Sequence, residues 1–177
     1  MKIILLGYMA SGKSTIAKKL AKELQMAFID LDDYIVKKEN LSIIEIFKTK
    51  GEIYFRKKEN IYLEELMQNN EKFILALGGG TPCYGNNMEI INRNGISFYL
   101  KSSLQFINDR LTKTKNKKTR PLIANLDSDK LKEFIAKHLF ERASFYDEAR
   151  HTIIIDNKTK KEIAEELLGQ IDSKHIL

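Results

Sequence analysis

The sequence predicts an α/β protein in which helices flank a five-stranded parallel sheet. Most of five short apolar runs are continuous rather than alternating, which is typical of strands buried on both faces. Segments with helical periodicity lie between the runs, and strands that alternate with helices favour a parallel sheet. The runs comprise residues 2–6, 27–30, 73–77, 96–100 and 152–156. Binding sites in such sheets lie at the carboxyl ends of strands, so functional residues are expected directly after the runs.

The segments between the runs carry helix signals. Apolar residues recur on one helical face over residues 14–24. The pattern "SIIE" at residues 42–45 is typical of a capping box, and Gly51 is expected to interrupt the chain before a long helix that ends near residue 69. Two further helices are predicted over residues 127–149 and 158–171.

Size and composition predict one domain over residues 1–177, since the chain is 43% hydrophobic and 31% charged. No apolar run approaches the roughly 20 residues that cross a bilayer, and the first run begins at Lys2, so neither a membrane span nor a signal peptide is expected. The single cysteine, Cys83, cannot form an internal disulfide, which favours a reducing, cytoplasmic setting.

The net charge of +6 would suit nucleic acid, a membrane surface or small anions as partners. Part of this charge lies in "TKTKNKKTR", residues 112–120, which has five cations and no acid. The segment is either a solvated loop or a loop that faces an anionic ligand. It contains no aromatic residue, so stacking on nucleic-acid bases is not indicated.

The first apolar run leads into "GYMASGKST", which fits the phosphate-loop pattern G-x-x-x-x-G-K-[ST] in full. Glycines allow the loop to curl so that backbone N–H groups and the following helix N-terminus face one phosphate. Lys13 would reach the outer phosphates, and the Ser14 hydroxyl would ligate Mg²⁺. At Ala10 and Ser11 the side chains need only be small. The residues expected to contact ATP are Gly7, Ala10, Ser11, Gly12, Lys13, Ser14 and Thr15.

The second and third runs lead into "DLDD" and "GGGTP". Asp32 or Asp33 is expected to cap a helix, and the remaining carboxylates could hold Mg²⁺ through water or accept a hydrogen bond from an acceptor hydroxyl. Three glycines at 78–80 would let a ligand lie directly on the backbone. The alternative is that they form only a flexible turn.

Seven stretches in this order resemble the shikimate kinases over nearly the whole chain: "GYMASGKST", "FIDLDDYI", "SIIEIF", "GEIYFRKKE", "LALGGGTP", "TRPLIA" and "ERASFYDEA". The resemblance implies a P-loop fold of the nucleoside-monophosphate-kinase type. It also implies a helical substrate-binding region over residues 31–62 and a lid over residues 112–125. The implied reaction moves the γ-phosphoryl group of ATP to the 3-hydroxyl of shikimate, with Mg²⁺ as cofactor.

The resemblance also implies roles for single residues. Asp32 would bind the ring hydroxyls and orient or activate the nucleophile, and Asp30 would lie near the metal with Ser14. Arg56 and Arg142 would grip the shikimate carboxylate, which arginine forks suit chemically. The catalytic set is Lys13, Asp32 and Arg120, the last being the lid arginine. Further implied contacts are Gly78, Gly79 and Gly80 as backbone donors, Phe47 and Phe55 as aromatic walls, and Arg110 and Lys158 near adenine.

The sequence departs from the family pattern at Ile123, Ser144 and Arg150, away from the catalytic positions. Two rival functions remain open: another small-molecule kinase, acting on gluconate or a nucleotide, and a nucleic-acid-binding or regulatory protein. The expected partner is shikimate alone, without nucleic acid or membrane, and the expected state is a monomer. Cys83 and the histidines at 138, 151 and 175 show no ligand spacing and are interpreted as structural or surface residues.

Overall fold

The computed structural model describes residues 1–113, 123 and 126–175. Its five strands form one parallel sheet in the order β2-β3-β1-β4-β5, which confirms the predicted architecture. The fifth strand begins one residue before the predicted run and ends two residues before the run does. The strands are β1 (Lys2–Leu6), β2 (Ala27–Asp30), β3 (Phe73–Ala76), β4 (Ile96–Lys101) and β5 (His151–Ile154).

Helices connect the strands and cover both faces of the sheet. Those that were predicted lie where they were expected to within a few residues, and α4 and α5 are additional to the prediction. The helices are α1 (Lys13–Glu23), α2 (Leu31–Glu39), α3 (Ile43–Gln68), α4 (Asn87–Asn94), α5 (Leu104–Lys113), α6 (Ser128–Tyr146) and α7 (Lys160–His175). No helix in these described parts of the chain is long and apolar enough to cross a membrane.

The central strand β1 explains why the apolar runs are continuous. Ile4 and Leu6 point into a core shared with α2, α3 and α6, whereas Ile3 and Leu5 point into a second core shared with α1 and α7. All four side chains are fully buried. Because alternate residues enter opposite cores, all four of these positions need apolar side chains.

The helix α3 is built from the predicted signals. Ser42 Oγ accepts a hydrogen bond from the Glu45 amide at 3.2 Å, and Glu45 Oε2 accepts one from the Ser42 amide at 2.8 Å, which confirms the capping box. Gly51 has non-helical backbone angles (φ 83°, ψ 171°), so α3 consists of two helical segments that meet at this residue. The predicted interruption is therefore confirmed.

The predicted N-cap of α2 is wrong. Asp30, not Asp32 or Asp33, caps the helix, and its Oδ1 accepts a hydrogen bond from the Asp32 amide at 3.1 Å. The helix begins directly at the end of β2 with Leu31, so Asp32 and Asp33 fall in its first turn, where the helix dipole favours acids. The Asp32 side chain is thereby released from capping.

Candidate active site

The phosphate loop connects β1, at the centre of the sheet, to α1. Gly7 and Gly12 have φ values of 142° and 94°, which side chains rarely adopt. A Cβ built on Gly7 would lie 2.8 Å from the Leu100 carbonyl oxygen, so the loop packs against β4 only because this residue has no side chain. Gly12 is the N-cap of α1, so the dipole of that helix points into the loop.

Ala10 adopts φ 63°, also in the left-handed region. Backbone conformation as well as size therefore matters at this position, contrary to the expectation that a small side chain suffices. The left-handed region costs an L-residue about 1–2 kcal/mol. The Ala10 carbonyl oxygen accepts a hydrogen bond of 2.9 Å from Arg110 Nη1, which helps to hold the loop in this shape.

Lys13 folds back across the loop. Its Nζ donates hydrogen bonds to the carbonyl oxygens of Gly7 at 2.8 Å and Tyr8 at 2.9 Å, and its side chain is largely buried. Ser11 is also buried, with its Oγ 3.5 Å from Lys13 Nζ, whereas Thr15 is exposed on the first turn of α1. The Lys13 ammonium group therefore lies within the loop, beside the carbonyl oxygens of Gly7 and Tyr8 and the hydroxyl of Ser11.

Ser14 and Asp30 lie side by side, as the predicted metal site requires. Ser14 Oγ donates a hydrogen bond of 2.7 Å to Asp30 Oδ2. A hydroxyl and a carboxylate oxygen suit Mg²⁺, which usually takes one or two carboxylates and completes its shell with water and substrate phosphates. Among the described residues no group of three or more His, Cys, Asp or Glu side chains could form a protein-only metal site.

The three glycines after β3 each face a different predicted group. A Cβ built on Gly78 would lie 2.9 Å from Asp32 Oδ1, and one built on Gly80 would lie 2.7 Å from Arg56 Nη2. For Gly79 the nearest atom would be the Met9 amide nitrogen at 3.4 Å, with Arg142 Nη1 at 3.8 Å. The glycine run is therefore the place where the phosphate loop and the predicted substrate side chains meet.

Asp32 occupies an environment that disfavours its charge. Burial, together with the negative charges of Asp30 and Glu59, raises its pKa to about 6, while Lys13 and Arg56 oppose the shift. The carboxylate is then mostly ionised at pH 7 and close enough to neutrality to exchange a proton. Such a perturbed carboxyl beside a phosphate loop is typical of a functional site.

Glu59 is a site residue that the sequence analysis missed. Its side chain is 1% exposed, and its Oε2 accepts a hydrogen bond of 2.8 Å from Arg56 Nη1. Its Oε1 accepts another from Thr81 Oγ1 at 2.6 Å. The signal was present in the sequence, because an acid three residues after Arg56 lies on the same side of the helix.

Aromatic rings surround Arg56. Its guanidinium carbon lies 4.1 Å from the ring centre of Tyr84, which the sequence analysis also missed, and 5.1 Å from that of Phe55. Phe55 is buried, and its ring packs 4.8 Å from Phe47, which is 38% exposed. Of the two predicted aromatic walls, Phe47 is therefore the one with an accessible surface.

Helix α6 carries Arg142 and contacts both the glycine run and the phosphate loop. Tyr146, one turn after Arg142, donates a hydrogen bond of 2.6 Å from its hydroxyl to the Gly79 carbonyl oxygen. One turn before Arg142, His138 Nδ1 lies 3.1 Å from the hydroxyl of Tyr8 in the phosphate loop. His138 is thus a structural residue, as expected, but it packs on the phosphate loop.

Cys83, in the short 3₁₀ turn Thr81–Cys83 after the glycine run, lies near the two predicted carboxylate-binding arginines. Burial raises the pKa of its thiol to about 11, while Arg142 and Arg56 oppose the shift. The protonated thiol is a poor nucleophile, so the interpretation of Cys83 as a structural residue is consistent with its surroundings.

Arg110 and Lys158 lie together on the far side of the phosphate loop. Arg110 stacks on Phe106, with its guanidinium carbon 4.9 Å from the ring centre. Lys158 Nζ donates to Glu166 Oε2 at 2.5 Å. Both residues line a cleft next to the loop, which also contains Ser11, Gly12 and Ile155. The expected role of Arg110 and Lys158 near adenine stays a prediction. Arg120 and all of the predicted lid except 112, 113 and 123 lie outside the described residues.

The fold and the site together define a P-loop kinase. A complete phosphate loop leaves the central strand, a hydroxyl–carboxylate pair suited to Mg²⁺ adjoins it, and a second site with one raised carboxyl pKa and two arginines lies beside it. The comparisons with known proteins make the class more specific.

The shikimate kinase family model matches residues 9–172. A shikimate kinase from Flavobacterium johnsoniae is 52% identical over 94% of this chain and 96% of that protein. The crystal structure of shikimate kinase from Bacteroides thetaiotaomicron is 32% identical, with a TM-score of 0.89 over 97% of this chain and 98% of that one. A shikimate kinase from Acinetobacter baumannii in complex with shikimate is 30% identical, with a TM-score of 0.86 over 99% and 95%.

The chain therefore belongs to the shikimate kinase family. It is a phosphotransferase that uses ATP and acts on an alcohol group in aromatic amino-acid biosynthesis.

Proposed function

We propose that the site transfers the γ-phosphoryl group of ATP to the 3-hydroxyl of shikimate, through the residues named below. One observation carries the proposal: three consecutive glycines face Asp32, Arg56 and Arg142 beside the phosphate loop. Shikimate has a carboxylate and three hydroxyls. Two arginines suit the carboxylate, an aspartate suits a hydroxyl, and backbone without side chains lets the ring approach closely.

On the nucleotide side, the loop N–H groups and Lys13 bind the β- and γ-phosphates, and Arg110 and Lys158 lie along the base. Mg²⁺ held by Ser14 and Asp30 would neutralise charge on these phosphates when it is bound. Arg120 and the lid over residues 112–125 keep their predicted role of covering the phosphates, and residues 31–62 keep theirs as the substrate-binding region.

On the acceptor side, Arg56 and Arg142 orient shikimate by its carboxylate, and Asp32 accepts a hydrogen bond from the 3-hydroxyl. The hydroxyl oxygen attacks the γ-phosphorus while the bond to the bridging oxygen of ADP breaks, and the hydroxyl proton passes to Asp32. Lys13 stabilises the charge that develops on the transferred group. The other expectations, a monomer in the cytoplasm without nucleic-acid or membrane partners, are part of the same proposal.

The test is ADP release from Mg·ATP with shikimate, gluconate and a panel of nucleoside monophosphates, each added separately. The proposal expects shikimate alone to drive release. If another acceptor works and shikimate fails, the substrate assignments are wrong while the phosphate loop stands. If no acceptor is turned over and the protein binds polyanions in a salt-dependent way, the nucleic-acid alternative is favoured.

A further inference from the structure

Glu39, the last residue of α2, presents a carboxylate to α3 that the proposed reaction does not use. Its side chain is 6% exposed. Oε1 accepts a hydrogen bond from the Tyr62 hydroxyl at 2.6 Å and pairs with Lys58 Nζ at 3.4 Å. Oε2 accepts from the Tyr54 hydroxyl at 2.7 Å and from Lys50 Nζ at 3.1 Å. Each carboxylate oxygen therefore contacts one tyrosine hydroxyl and one lysine ammonium group.

These four donors form a stripe along α3. Lys50 lies on the first segment of α3, and Tyr54, Lys58 and Tyr62 follow at a spacing of four that places these three on one face of the second segment. Gly51, the non-helical residue, falls between the first donor and the other three. The Glu39 carboxylate therefore binds both segments of α3 and holds the angle between them.

The predicted substrate residues lie on these same two segments. Phe47 is on the first segment, and Phe55 and Arg56 are on the second. Arg56 is two residues from Tyr54, about 200° around the helix, so it points away from Glu39 and toward Gly80. Because a helix turns as a unit, the contacts on one face set the direction of the arginine on the other.

The opposite end of α2 carries Asp32 in its first turn. Glu39 therefore connects the helix that carries the proposed hydroxyl-binding carboxylate to the helix that carries the proposed carboxylate-binding arginine. The separation of these two groups must match the two ends of one substrate molecule, and small errors in such a separation are costly.

We propose that Glu39 is a positioning residue for the acceptor substrate, which sets the rotation and bend of α3 and thereby the placement of Arg56 relative to Asp32. The inference rests on the proposed function, because it takes shikimate as the acceptor. Hydrogen bonds from Tyr62 and Tyr54 lower the pKa of Glu39 to about 2, so the carboxylate stays ionised near neutral pH. Removing its charge is therefore an informative change.

The first variant is Glu39→Gln. The amide nitrogen cannot accept a hydrogen bond, so one of the two tyrosine–lysine pairs loses its acceptor. We expect the KM for shikimate to rise about tenfold, with the KM for ATP within about twofold of wild type. Shikimate binding is measured in parallel by calorimetry, because the chain has no tryptophan for intrinsic fluorescence.

Glu65 offers a matched control. It accepts hydrogen bonds from the Tyr34 hydroxyl at 3.0 Å and Lys38 Nζ at 2.6 Å, and so joins the same two helices with the same donor types. Its side chain is 45% exposed, and it lies nine residues beyond Arg56, about 14 Å along the helix axis. Glu65→Gln is expected to leave the KM for shikimate within about twofold of wild type, because exposed pairs contribute little.

A second set of variants keeps the inference testable if Glu39→Gln does not fold. Tyr54→Phe removes the hydroxyl that donates to Glu39 and accepts a hydrogen bond of 3.2 Å from Lys50 Nζ, and it is expected to raise the KM for shikimate in the same direction by a smaller factor. Because Tyr54 acts through Glu39, the double variant should raise the KM for shikimate by less than the product of the two single-variant factors. Additive effects in this cycle would contradict the inference.

The outcomes separate the two proposals. If the wild-type protein does not phosphorylate shikimate, the proposed function fails first. If the wild type is active and both Glu39→Gln and Tyr54→Phe lower thermal stability without changing shikimate KM or binding, Glu39 is only a structural residue and the inference is wrong. A rise in shikimate KM confined to these variants and absent in Glu65→Gln supports it.

Discussion

The Ser14 hydroxyl donates a hydrogen bond of 2.7 Å to Asp30 Oδ2, and the other oxygen of the same carboxylate caps α2. Asp30 therefore joins the first turn of the phosphate-loop helix to the first turn of the helix that carries Asp32. One carboxylate can thus act at the metal site and hold the acceptor helix in place.

Replacing Asp30 by Asn tests the metal role with little risk to the fold, because Asn caps helices as well as Asp does. We expect the Mg²⁺ concentration that gives half-maximal rate to rise about tenfold or more, since a ligand carboxylate is lost. The measurement is the rate as a function of Mg²⁺ at fixed ATP. Asp33→Asn, at an exposed position in the first turn of α2, is the control and should behave as wild type.

The raised pKa of Asp32 predicts an acid limb in the pH profile. Below a pH of about 6 the carboxyl is protonated and cannot accept the hydroxyl proton, so kcat/KM for shikimate should fall about tenfold per pH unit. Because the charge of Glu59 helps to raise this pKa, Glu59→Gln should move the limb to lower pH. A limb that stays in place in that variant would mean that another group titrates.

The same pKa shift predicts that the ionised Asp32 carboxylate lowers the free energy of unfolding. Its pKa is raised above the unfolded value of 3.8 to about 6, so folding is penalised at pH 7 and the penalty fades as pH falls through 6 toward 3.8. Asp32→Asn should therefore be nearly inactive yet more stable than wild type by up to about 3 kcal/mol at pH 7.5. Thermal unfolding at pH 7.5 and pH 4 checks this, and an equal gain at both values would contradict it.

The left-handed backbone at Ala10 predicts that glycine is better tolerated there. Ala10→Gly should raise stability by about 1 kcal/mol, or the thermal midpoint by about 2–4 °C, because the Cβ penalty at φ 63° is removed. Ala136→Gly, inside helix α6, is the matched control and should lower the midpoint, because glycine loses more conformational freedom in a helix. If both variants are destabilised, strain at Ala10 is not the reason for its conformation.

Much of this protein could be predicted from local sequence signals. The central strands β1, β3 and β4 followed from continuous apolar runs because they are buried on both faces, as Ile3 and Ile4 illustrate, whereas the edge strands β2 and β5 are only partly buried. The phosphate loop, the Ser42 capping box and the interruption at Gly51 are also encoded within a few neighbouring residues. Local backbone and hydrogen-bonding requirements restrict residue types at such positions, and the sequence therefore determines them by itself.

Other features were decided only by the tertiary structure. Asp30 caps α2 because β2 ends where it does, and the chain pattern alone favoured its neighbours. Glu59 reaches Thr81, and Glu39 gathers four donors, because helices packed on the sheet bring together residues far apart in the chain. These contacts depend on packing distances and helix rotation, for which no short stretch of sequence carries the information.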